Sequence, residues 1–201
     1  MTEQTTDLSA ILARLDKLEA KEQIRAAIAR YSKGVDRTDP TQTHQTMWPD
    51  ARLILQYIEG TAKDFVDPLI GEYVEKVLRG THHMMGNTII DLDGDTARTE
   101  TYALAHHRSY PTSESNAAMM GAQNIPAGGE NKQLELIIGL RYLDHFERRD
   151  GVWKIIERRL VFDWSQLGEY SGIEEGGLYD GTLLRGERKQ KDSSYNWDRA
   201  A

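Results

Sequence analysis

Two turn signals constrain this 201-residue chain more than anything else in it: Asp93-Gly94-Asp95 and Arg148-Arg149-Asp150-Gly151. Each lies between β-prone runs, and Asp-Gly dipeptides flanked in that way close antiparallel hairpins. The first joins a strand from Thr81 to Leu92 to one running from Thr96 to about Tyr110. The second joins Gln133–Glu147 to Val152–Trp164. The chain ahead of them has a different period. Leu8, Ile11, Leu12, Leu15, Leu18, Ile24, Ile28 and Tyr31 recur mostly at spacings of three and four, which predicts one or two helices ending near Gly34. Asp39-Pro40 reads as N-cap and first residue of a short helix to about Trp48, broken by Pro49-Asp50. Ala51–Tyr57 is β-prone, with a turn near Gly60. Residues 64–79 form another amphipathic helix, capped by Asp64 and ended by Gly80. Helices first and hairpins afterwards predict an α+β fold, with helices on one face of a curved antiparallel sheet. A sheet curled around a long helix leaves a cone-shaped cavity suited to a small molecule.

Several function classes fall away on composition. Lys+Arg number 25 against 32 Asp+Glu, a net charge of −7 with no basic block, so nucleic acid is not an expected partner. There is no cysteine, hence no disulfide frame and no thiolate chemistry. No apolar run reaches the roughly 18 residues that a membrane span needs. The first residues are polar and acidic, without the apolar region of a secretory signal. The expectation is a cytoplasmic protein away from membranes, with one domain over residues 1–168 and an extension over 169–201. The extension is very polar from about Arg185, and its Tyr195 and Trp197 predict docking on a neighbouring subunit. Residues 111–131 carry no periodicity and read as a long loop. Its Met119, Met120 and Ile125 suit a lid over the pocket mouth, the alternative being an oligomer contact.

Chemistry concentrates at Thr81-His82-His83-Met84-Met85-Gly86-Asn87, ahead of the apolar Thr88-Ile89-Ile90. Imidazole moves protons near neutral pH. Adjacent strand residues face opposite ways, so one of the two histidines can enter a pocket. His106-His107 form a second such pair. Each pair offers one inward ligand, short of the three or four that zinc requires, so no metal is expected.

Three segments carry a family resemblance over roughly residues 8–165. They are Tyr31-Ser32-Lys33-Gly34-Val35-Asp36, His83-Met84-Met85-Gly86-Asn87, and Glu147-Arg148-Arg149-Asp150-Gly151-Val152-Trp153-Lys154 leading to Glu157-Arg158-Arg159. Together they resemble the SnoaL-like branch of the nuclear-transport-factor-2-like superfamily. Within it, they are most similar to hexachlorocyclohexane dehydrochlorinase, bile-acid 7α-dehydratase and scytalone dehydratase. The resemblance implies a cystatin-like cone wrapped around the N-terminal helix and a proton-abstracting dyad. By motif position the carboxylate is Asp36 and the base His83, with Arg158 and Tyr31 as further catalytic groups. His106, Trp48, Tyr102, Asn87 and Met119 are expected to bind substrate, although the choice between His106 and His107 stays open. The implied activity is a cofactor-free lyase. It would remove a proton from carbon and expel water, halide or another small group, formaldehyde by C–C cleavage included, from a hydrophobic cyclic or aromatic substrate. A steroid or polyketide isomerase or cyclase is the alternative enzyme. A non-catalytic binding or assembly module is the alternative outside enzymes. The trimeric dehydratases imply a homo-oligomer, a trimer ahead of a dimer.

Overall fold

The computed structural model describes residues 7–55, 58–177, 181 and 184–196. Helix α1 (Leu8–Asp36) is followed by α2 (Pro40–His44), β1 (Met47–Leu55) and β2 (Ile58–Thr61). Next come α3 (Ala62–Val66), a π-helical turn (Asp67–Tyr73) and α4 (Val74–Val77), then β3 (Leu78–Asp93) and β4 (Thr96–Ser109). Helix α5 (Ser113–Met120), β5 (Leu134–Arg149) and β6 (Val152–Glu169) complete the order. The architecture is the expected α+β one, a long helix against one curved sheet. The sheet runs β2-β1-β6-β5-β4-β3, and every pairing is antiparallel except β1 with β6. Among the described residues no helix is long and apolar enough to cross a membrane.

Helix α1 is one element and overruns Gly34 by two residues. Gly34 is there for close approach, since a Cβ on it would lie 2.3 Å from Thr43 Oγ1 of α2. Asp39 caps α2 through the Gln42 amide, as its sequence predicts. The chain then departs from expectation, because α2 stops at His44 and Trp48 and Pro49 lie in β1. Gly60 lies within β2, opposite Leu53. Residues 64–79 are not one helix. Thr61 rather than Asp64 provides the cap, and Pro68, which has no N–H to donate, falls where the winding loosens to a π-turn. Gly80 sits inside β3.

The apolar stripe of α1 does two different things. From Ala20 onward its residues Ile24, Ala27, Ile28, Tyr31 and Val35 enter the core beside Phe146, Trp153 and Ile155. Before Ala20, Leu8, Ile11, Leu12, Leu15 and Leu18 are all exposed.

The stretch 111–131 contains a helix that periodicity did not reveal. Thr112 caps α5 by accepting from the Ser115 amide. The buried Asn116 donates through Nδ2 to the carbonyls of Gly129, Glu130 and Lys132. The polar tail also docks, on its own chain. The Lys189 amide donates to the Arg37 carbonyl, Arg188 Nη2 to the Leu78 carbonyl, and the Tyr195 hydroxyl to Asp39 Oδ2. Tyr195 is therefore engaged within the subunit, and Trp197 lies outside the described residues.

Candidate active site

The last residue of α1 meets His83, the sixth residue of β3. Asp36 Oδ1 lies 2.7 Å from His83 Nδ1, and Asp36 Oδ2 accepts from the His83 backbone amide at 2.8 Å. Both side chains are nearly buried, His83 at 6% and Asp36 at 8% exposure. A carboxylate at a helix C-terminus sits at the unfavourable end of the helix dipole, so it needs these two donors. Burial, the largest influence, pushes the Asp36 carboxyl up. The hydrogen bonds and charge of His83 outweigh it, and the group stays ionised below its ordinary value. An ionised carboxylate only accepts, so it selects the His83 tautomer with the proton on Nδ1 and leaves the lone pair on Nε2. The turn after Asp36 is strained as well. Thr38, fully buried and β-branched, has φ of 49°. Non-glycine residues avoid that region unless their surroundings impose it, and such strain gathers at functional sites.

His83 lines a cavity of about 270 Å³. Its wall is mostly apolar: Val35, Leu69, Ile70, Leu140 and Leu160, with the rings of Tyr31 and Tyr142. Met119 of α5 also lines it, packed on Val74, Val77 and Leu78. The Tyr73 hydroxyl holds α5 in place by donating to the Ala118 carbonyl.

The family model for the SnoaL-like domain matches residues 16–159. The chain belongs to the SnoaL-like family. Solved structures agree on the fold. LinA has 18% identity and a TM-score of 0.62, over 82% of this chain and 98% of that one. A putative scytalone dehydratase from Novosphingobium aromaticivorans DSM 12444 has 21% identity and a TM-score of 0.59, over 79% and 92%. The hexachlorocyclohexane dehydrochlorinase LinA-type3 from Novosphingobium barchaimii LL02 has 19% identity and a TM-score of 0.61, over 80% and 96%. No curated protein matches the sequence.

In this SnoaL-like chain His83, Tyr31 and Met119 line the apolar cavity, with Asp36 hydrogen-bonded to His83 from outside it. Arg158 stands behind that wall. It is fully buried and donates twice to Asp144, Nε to Oδ1 and Nη2 to Oδ2, each at 2.7 Å. Its guanidinium carbon lies 3.9 Å from the Tyr31 ring centre and 4.3 Å from that of Tyr142. The two rings therefore separate its charge from the cavity. Burial pushes the Tyr142 hydroxyl well above its ordinary range, which keeps that ring neutral.

Trp48, Tyr102, Asn87 and His106 do not line this cavity. Trp48 clamps the β5–β6 hairpin: its indole N–H donates to the Glu147 carbonyl, and Arg149 and Lys154 lie over its ring. Tyr102 faces outward from β4, and Asn87 is exposed where the β3–β4 register shifts. His106 points to a separate polar groove and pairs with Glu135. The inward histidine of that pair is His107, its ring centre 5.4 Å from that of His83. The signal lay in the neighbours. Ala103 and Ala105 are buried while Tyr102 and Leu104 are exposed, so the small residues mark the inner face.

His107 predicts a pH dependence of stability. Burial first, then the charges of His83 and His106, push it from 6.5 down to about 3, against an opposing pull from Asp36. A base whose folded pKa lies below its unfolded one gives stability that is present above the unfolded value and lost as pH falls toward the folded one. The melting temperature should therefore fall between about pH 6.5 and pH 3, and His107→Gln should flatten that fall. Identical pH profiles for the two proteins would contradict the assignment.

Proposed function

We propose that the chain is a lyase that needs no cofactor, with His83 as general base and Asp36 as the group that orients it. The observation that carries this reading is a single one: an imidazole whose Nδ1 is held by a buried carboxylate stands on the wall of an apolar cavity. A hydrophobic ring placed there presents a C–H to Nε2. The C–H bond breaks toward His83, its electron pair forms the new double bond, and the departing group leaves with the electrons of its own bond. Asp36 stabilises the imidazolium that results. The Tyr31 hydroxyl, which has no hydrogen-bond partner among the described residues, is the donor for a departing hydroxyl or halide.

Among the solved relatives, a dehydrochlorinase and a putative scytalone dehydratase favour elimination as the reaction type. A panel of ring substrates, deuterated at the carbon beside the leaving group, tests the proposal. The lyase should release the small group as a separate product and show a primary isotope effect. A product of unchanged mass would make the chain an isomerase or cyclase. Binding without turnover across the panel would favour the non-catalytic module.

A further inference from the structure

Asp36 also borders a second cavity, the polar groove that takes in His106. It measures about 650 Å³, and Thr81 lines both it and the apolar cavity. His82 and His106 face each other across the β3–β4 register and both line it. Five arginines line it too: Arg37, Arg79, Arg108, Arg185 and Arg188. This concentration of positive charge runs against the net charge of −7 for the whole chain.

Three acids line it, Asp36, Glu174 and Glu187, and they do not balance the five arginines. Asp36 is committed to His83. Glu174 is shared by Arg79 and Arg108. Arg37 reaches Asp192 at 3.4 Å. Arg185 and Arg188 have no carboxylate within ion-pair distance among the described residues. Arg188 Nη2 donates to the Leu78 carbonyl, but Nη1 is buried without a partner among the described residues. A buried guanidinium N–H with nothing to accept it is costly, and an anion is the ligand that removes the cost. Clefts lined by one sign of charge also concentrate counter-ions of the other.

We propose that this groove binds an anionic group, a carboxylate or phosphate, carried by the substrate whose apolar body occupies the cavity at His83. The position of that body rests on the lyase reading, whereas the anion site does not. The substrate class is then an amphiphile, a hydrophobic ring with an acidic end, laid across Thr81.

The test uses the full chain and three probes: inorganic phosphate, cinnamate and the uncharged cinnamamide. The ring resonances of His82 and His106 report the groove, and the Met119 methyl reports the apolar cavity. Phosphate should move the histidines alone. Cinnamate should move both sets, compete with phosphate and bind at least about tenfold tighter than the amide, the scale of one charge-assisted pair. Arg188→Gln should abolish the phosphate response. Arg185→Gln, at an exposed position where folding is not at stake, should weaken it. Phosphate binding needs no turnover at His83, so loss of the lyase reading would not disturb this result. Histidines that neither anion moves, or an unchanged response in both arginine variants, would overturn the site. Phosphate binding that cinnamate does not compete with would overturn the substrate assignment and make a free anion the occupant.

Discussion

Replacing Arg158 with methionine is expected to cost the fold about 3–5 kcal/mol, the range for removing one partner of a buried ion pair. Arg158 of β6 lies opposite Asp144 of β5 in the strand register, and neither side chain has any exposure. Removing the guanidinium strands a carboxylate in the core. The stacking on Tyr31 and Tyr142 goes with it, and those rings form the wall behind which the arginine sits. Replacing both partners, Arg158→Met with Asp144→Leu, should restore much of the loss, because a well-packed apolar pair can equal a buried ion pair. Denaturant unfolding of the two single variants and the double one measures this coupling. A loss below about 1 kcal/mol in Arg158→Met, the value of an exposed pair, would show that the ion pair is not buried as described. The same variants separate two roles. If Arg158 acts on the reaction through the tyrosine rings, the double variant should be stable and slow. If it only supports the wall, the double variant should be stable and active.

The larger effect is expected at the dyad. His83→Ala should lower turnover about a hundredfold or more, the scale of a positioned general base. Asp36→Asn should do nearly as much by another route. An asparagine can still accept from the His83 amide, but it then turns its own NH₂ toward Nδ1. That selects the tautomer with its lone pair on Nδ1 and its proton on Nε2, so the nitrogen facing the cavity can no longer accept.

The parts of this fold that were legible were those written in local chemistry. The Asp-Gly turns specify the hairpins, and Asp39-Pro40 specifies the start of α2. The meeting of Asp36 and His83 was legible only through the family resemblance, which matched a helix end to a strand by motif position. What stayed hidden depends on contacts distant in sequence. Helix α5 lacks an apolar stripe because its order comes from one cap, Asn116 and the Tyr73 hydroxyl. Trp48 was expected to bind substrate, yet it serves the β5–β6 hairpin. His106 was named for the site with the choice against His107 left open, although the buried alanines of β4 mark the inner face on which His107 lies. The polar tail was set apart from the core on composition, but hydrogen bonds from Arg188, Lys189 and Tyr195 fasten it to the domain without apolar burial.

The central claim, that His83 takes the proton, is tested most directly by chemical rescue. On a substrate that the wild-type protein turns over, His83→Ala is assayed with and without added imidazole, and its melting is followed in parallel. The expected result is a variant that melts lower but stays folded at the assay temperature, turnover reduced about a hundredfold or more, and partial recovery that rises with imidazole concentration, as free base replaces the missing ring. Turnover that survives the substitution, or that is lost only because the variant unfolds, would contradict it.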